Sequence, residues 1–149
     1  MIRLVRTNPA DTDFRQLVAL LDKDLRDRYG DQQSFFDQFN KLDTIQYAVV
    51  AYNDAAPVGC GALRAFKENM VEVKRMYVET AFRGQGIGGM ILRELESWAK
   101  DLNFYACVLE TGMKQPEAIR LYQKKGYMAI PNYGQYQDVD DSVCMKKIV

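Results

Sequence analysis

The sequence predicts an α+β fold: a mixed, mostly antiparallel sheet of about seven strands flanked by about four helices. Three observations carry that class. Segments 47–52, 58–66 and 70–78 alternate and are rich in β-branched residues, and short turns at Asn53-Asp54 and Glu68-Asn69 join them, which is the order of an antiparallel meander. A glycine-rich loop then leads from the last of these strands into a helical stripe. After it, the chain returns to strand, short helix and two more strands.

The elements follow in order. Residues 2–6 read as a short strand, and Asn8-Pro9-Ala10-Asp11 supplies a turn and a helix cap. Phe14, Leu17, Val18, Leu21 and Leu25 recur at helical spacing, and this helix should stop around Tyr29-Gly30-Asp31. Residues 34–42, with Phe35, Phe36 and Phe39, suggest a second short helix whose aromatics pack. Beyond the meander, Ile87, Ile91, Leu95, Trp98 and Leu102 give a helix one apolar face. Residues 105–110 form the next strand, and a short helix is bracketed by Pro116 at its first position and Gly126 past its end. Segments 127–130 and 142–148 are the final strands, joined by the aromatic, turn-rich stretch 131–136, which is a lid or a plain loop.

Composition narrows the function. At 149 residues and 48% hydrophobic content the chain makes one domain, residues 1–149. Lys+Arg and Asp+Glu both number 20, so no global field favours nucleic acid or an anionic membrane. No apolar run is long enough to span a bilayer and the N-terminus lacks the apolar core of a signal peptide, so the cytoplasm is the expected location. Cys60, Cys107 and Cys144 are scattered through apolar stretches as buried thiols, Cys107 being the one to check as a nucleophile. With no histidine and no C-x-x-C, no metal is expected. Asp24, Asp27 and Asp31 alternate with Lys23, Arg26 and Arg28 and read as a solvated helix face.

The most telling stretch is Arg83-Gly84-Gln85-Gly86-Ile87-Gly88-Gly89. Glycines let a ligand approach the backbone, and the helix that follows offers unpaired N–H groups and a positive dipole end, so an anion such as a phosphate belongs there. No Lys-Ser or Lys-Thr closes the loop as in a P-loop. Gly84, Gly86 and Gly89 satisfy the dinucleotide pattern G-x-G-x-x-G, with Glu110 further on. The context differs from that design: Glu79 to Arg83 separate strand from loop, and Glu72, Lys74 and Arg75 interrupt the strand.

Arg83, Gly86 and Gly88 instead fit the pyrophosphate loop of the GNAT superfamily of N-acetyltransferases. A second block agrees: Gln115, Ala118, Leu121-Tyr122 and Gly126-Tyr127 resemble that family's Asn-x-x-Ala, Leu-Tyr and Gly-Tyr signature, in its order and near its spacing. The resemblance runs from Met70 to Tyr127 and implies a GNAT-type fold that takes acetyl-CoA and a small-molecule or peptide amine. It implies direct attack of the amine in a ternary complex, with Met76, Tyr77 and Val78 at the splayed strand end and the loop, Gln115 and Ala118 around the cofactor.

By the same resemblance Tyr122 is the general acid that protonates the leaving thiolate; the alternative is an aromatic that only packs. Glu72, eleven residues before Arg83, stands where histone-acetylating relatives carry their base. It is equally readable as a solvated strand residue, and Glu110 is a second candidate. Gln115 replaces the family's usual Asn, which alters one expected CoA contact. A non-catalytic CoA-binding sensor of the same fold is the competing function, and a homodimer, common among relatives, is open.

Overall fold

The computed structural model describes residues 1–30 and 45–149. The helix expected over 34–42 lies outside them. Among the described residues the elements are β1 (Ile2–Thr7), α1 (Thr12–Tyr29), β2 (Tyr47–Asn53), β3 (Ala56–Phe66), β4 (Met70–Val78), α2 (Ile87–Asp101), β5 (Ala106–Gly112), α3 (Pro116–Lys124), β6 (Met128–Ile130) and β7 (Ser142–Ile148). One seven-stranded sheet runs in the order β1-β2-β3-β4-β5-β7-β6. Every neighbouring pair is antiparallel except β4 and β5, which run parallel.

Period-two alternation sorts the sheet residues between two layers. Ala48, Val50, Cys60 and Ala62 pack under α1 with Phe14, Leu17 and Val18. Their neighbours Val49, Ala51, Leu63, Val71 and Val73 face the other way, onto Ile87, Ile91, Leu92 and Leu95 of α2 and Tyr122 of α3. Helix α1 begins as expected: Asp11 Oδ1 accepts from the Phe14 amide at 2.9 Å. It ends at Gly30, whose φ is 57°. Helix α2 lies so close to the sheet that a Cβ on Gly61 would stand 2.8 Å from Leu95 and 2.9 Å from Ile91.

Two irregularities of β4 set its course through the sheet. Its register against β3 shifts between Cys60 and Ala62, and Arg75 sits in the left-handed region at φ 60°. This is a β-bulge, which twists the strand and re-aims its side chains. The parallel pairing with β5 covers only Met70↔Ala106 to Val73↔Leu109. Past that point β4 and β5 diverge, and β5 continues beyond the expected Glu110 to Gly112 on its pairing with β7.

Candidate functional site

The divergence of β4 from β5 opens a cavity of about 410 Å³. Its walls bring together residues far apart in sequence. Met76, Tyr77 and Val78 come from the bulged half of β4, and Arg83, Gly84, Gly86, Ile87, Gly88 and Gly89 from the loop and the start of α2. Gln115 caps the start of α3 and Ala118 and Tyr122 lie within it, Glu110 and Thr111 come from β5, and Leu21, Asp24 and Leu25 from α1. Gln85 and Glu72, both candidates from the sequence, are not on these walls.

The loop has the geometry that suits an anion. Gly84 and Gly86 both have φ of 81°, and Gly86 is the residue that caps α2. The first-turn amides of α2 have no carbonyl behind them within the helix, and the positive end of its dipole adds about 0.3 to 2 kcal/mol for a negative group. Arg83 is held in place by an Nε donation to the Val78 carbonyl at 2.8 Å and lies over the Tyr77 ring at 5.5 Å. Its Nη2 is 3.8 Å from Asp24. A glycine-lined helix start beside a guanidinium fits the pyrophosphate of an acyl-CoA.

Across the mouth, Arg28 of α1 pairs with Glu117 at the start of α3, donates to the Lys114 carbonyl at 3.2 Å, and lies 3.5 Å from Asp24. The sequence reads Asp24 and Arg28 as part of a solvated face, with attraction of a cationic amine as the alternative for Asp24; neither is expected from it to join α1 to α3. The available signal was spacing: Asp24 lies three residues after Leu21 and four before Arg28, next to the buried stripe.

Two titratable side chains face the cavity where the strands part. Tyr122 is buried, 6% exposed, with its ring edge-on to Tyr127 at a centroid distance of 5.8 Å. Burial, and then the neighbouring Glu110 charge, push its hydroxyl well above the ordinary phenol range, so it stays protonated. Glu110 is pushed up to about 7 by burial. The Ser142 hydroxyl, donating at 2.7 Å, and the Lys74 charge offset part of that rise, while the Glu72 charge adds to it. A carboxyl and a phenol with such properties are suited to exchanging protons with a bound reactant.

Glu72 stands elsewhere. It is 2% exposed, and alternation along β4 turns it beneath the 131–136 stretch. Its Oε2 accepts from the Tyr133 hydroxyl at 2.7 Å, and Arg64 Nε sits 2.9 Å from Oε1 as an ion pair with poor hydrogen-bond alignment. Lys74 Nζ is 4.0 Å from the same oxygen. The 131–136 stretch is itself packed, with Tyr136 1% exposed in the turn Gly134–Tyr136.

All three cysteines are buried and free. Burial pushes the Cys107 thiol up to about 12 and Cys144 to about 11, and raises Cys60 further, so none forms a thiolate near neutrality. Among the described residues no group of three or more His, Cys, Asp or Glu side chains is placed to hold a metal, and no helix is long and apolar enough to cross a membrane.

Comparison with known proteins agrees with this geometry. Residues 14–127 match the acetyltransferase (GNAT) family. Over 149 residues, covering 98% of this chain and 97% of the relative, the sequence is 32% identical to an IAA acetyltransferase of Azospirillum brasilense. A Klebsiella pneumoniae protein assigned as an acyl-CoA N-acyltransferase superposes with a TM-score of 0.83 at 31% identity, over 99% of this chain and 97% of that one. A GNAT acetyltransferase from Elizabethkingia anophelis with acetyl-CoA bound shares the fold at a TM-score of 0.74 and 20% identity, over 99% of this chain and 98% of that one. The strand divergence, the glycine loop at the start of α2 and these likenesses converge: the chain belongs to the GNAT family of acetyltransferases and is an acyl-CoA-dependent N-acyltransferase.

Proposed function

We propose that this enzyme moves an acetyl group from acetyl-CoA to a primary amine of a small molecule or peptide, by direct attack in a ternary complex. Glu110 acts as base and Tyr122 as acid. One observation carries the reading: Glu110 and Tyr122 line the same cavity as the glycine loop, at the point where β4 and β5 separate. The loop amides and Arg83 hold the pyrophosphate, and the unpaired edge of β4 from Met76 to Val78 runs alongside the acyl end with its backbone donors.

An alkyl ammonium of pKa near 10.4 is almost wholly protonated at pH 7, and drawing on its rare free base costs about 4.6 kcal/mol. A carboxyl with a pKa near 7 is ionised often enough to accept that proton and weak enough as a base to release it afterwards. Tyr122 carries its proton at every working pH and lines the same cavity, so it is the hydroxyl available to the departing sulfur. Glu110 is preferred to Glu72 because it reaches the cavity, whereas Glu72 is occupied by Arg64 and Tyr133.

The test is a titration with acetyl-CoA by calorimetry, followed by a panel of primary amines scored by CoA thiol release, for the wild type and Glu110→Gln. Saturable acetyl-CoA binding in both proteins, with amine-dependent release in the wild type alone, supports the reading. Equal release by the two proteins overturns the assignment of Glu110.

A further inference from the structure

Tyr133 is held from three sides. Its hydroxyl donates to Glu72 Oε2 at 2.7 Å, and its ring packs on Phe66 of β3 at 4.9 Å and on Tyr136 at 5.8 Å. A carboxylate only accepts, so the direction of the hydroxyl bond is fixed. Glu72 itself is buried in β4 opposite Arg64 of β3, whose Nε stands 2.9 Å from Oε1, so the connection after β6 is tied to a strand in the middle of the sheet.

The residue before Tyr133 continues the link. Asn132 Nδ2 donates to the Val139 carbonyl at 3.2 Å and to the Ser142 carbonyl at 3.1 Å, tying the start of the connection to its end. Ser142, where β7 begins, then places its hydroxyl on Glu110 Oε2 at 2.7 Å. The route from Glu72 to Glu110 therefore passes through one side-chain bond, one covalent neighbour and two further hydrogen bonds.

We infer that the Glu72–Tyr133 contact is a positioning device for Glu110: it fixes the 131–142 connection so that Ser142 keeps its hydroxyl on the carboxyl that faces the acceptor. Glu72 and Tyr133 are thus positioning residues that act through Ser142, not groups that touch the reactants. The inference rests on the reading of Glu110 as the base. It also assigns a purpose to a buried charge that reaches no cavity wall: Glu72 Oε2 is the acceptor that fixes the Tyr133 hydroxyl.

The contact is best broken from the tyrosine side, because Glu72 carries a charge that acts on Glu110 directly. The groups facing Glu110 are Glu72 and Lys74 from β4, Ser142 and Cys144 from β7, Tyr122 from α3 and Tyr136 from the connection. Tyr133→Phe leaves all of these side chains in place and keeps the ring packing; it takes one hydrogen bond from Glu72, and any effect that reaches Glu110 through the Glu72 charge rather than through Ser142 shows as additivity with Ser142→Ala. The measurement is the Glu110 titration midpoint, followed by carbon NMR of the labelled side-chain carboxyl in wild type, Tyr133→Phe, Ser142→Ala and the double variant.

A bond from Ser142 favours the ionised carboxyl, so loosening it should raise the midpoint, by about half a unit in Tyr133→Phe. The double variant should match Ser142→Ala alone, because both changes act on one link. A midpoint unmoved by Tyr133→Phe, or full additivity with Ser142→Ala, overturns the inference. Asn132→Ala breaks the same link at its other end and gives the same readout if Tyr133→Phe proves poorly folded. Turnover of Glu110→Gln is scored separately: undiminished amine acetylation would remove the base assignment, while the titrations still decide whether the contact positions the carboxyl.

Discussion

Ser142 donates to Glu110 Oε2 at 2.7 Å from two register positions away, since Glu110 itself pairs with Cys144 across the β5 and β7 strands. A diagonal cross-strand bond of this kind holds the carboxyl without covering it, and Glu110 remains on the cavity wall with a pKa near 7. As a base, it is competent only when ionised. The expected kcat/KM for an amine acceptor therefore rises with pH through about 7, where the enzyme's carboxyl loses its proton. In Glu110→Gln this limb should vanish, and kcat/KM should fall by roughly 10² to 10⁴. A pH series of initial rates at saturating acetyl-CoA measures both.

The same carboxyl makes stability depend on pH. Its pKa in the fold stands above the ordinary 4.5, so the folded protein binds the proton more tightly than the unfolded chain does. Stability from this source is fully present below pH 4.5 and is lost as pH rises through about 7. Glu110→Gln should remove the slope. Between pH 5 and pH 8 the variant should gain on the wild type by an amount on the order of 3 kcal/mol at most, read from urea midpoints at each pH. A constant gap between the two proteins would contradict the raised pKa.

Tyr122→Phe separates packing from chemistry. The ring stays against Tyr127, so Tm should move little. Loss of the hydroxyl removes the proposed proton donor for the sulfur. A thiol of pKa near 8.5 departs readily as an anion, which puts the expected drop in kcat at the low end of acid catalysis, about 10²-fold. Acetyl-CoA affinity should fall by no more than about tenfold, because a phenol contributes at most one neutral hydrogen bond to binding. Steady-state rates beside calorimetric binding give the split.

The features legible in the sequence are those that depend on local pattern. The Asp11 cap, the Phe14 to Leu21 stripe, the meander turns and the glycine loop are each written in consecutive residues, and each appears where its pattern placed it. The positive φ of Glu68 and Asn69 matches the expected turn between β3 and β4. The placement of Glu72 and Glu110 is not legible in the same way. Both are strand glutamates on the α1 side of the sheet, and only the end of the β4–β5 pairing at Val73↔Leu109 decides which one meets the cavity. That divergence, the bulge at Arg75 and the bond from Tyr133 to Glu72 are long-range facts to which no short motif corresponds. Asp24 reads as part of a solvated face because charges of both signs surround it in the sequence, whereas its helical position places it on the cavity wall.

Arg83 and Asp24 give a prediction with two opposite signs. Arg83 is only partly buried, and its guanidinium stands 3.8 Å from the Asp24 carboxylate at the cavity mouth. A pyrophosphate on the loop would draw on the same guanidinium, so the aspartate competes with the ligand. Arg83→Ala removes a charge-assisted donor, which at a solvent-screened position should weaken acetyl-CoA binding about tenfold. It should also flatten the dependence of affinity on salt, because one fewer cation is being screened. Asp24→Ala should act the other way, tightening acetyl-CoA by about two- to threefold as the competing anion is lost. Calorimetric titrations at low and high salt for the two variants test both signs. Weaker binding in both variants would mean that Asp24 orients Arg83 for the ligand rather than holding it back.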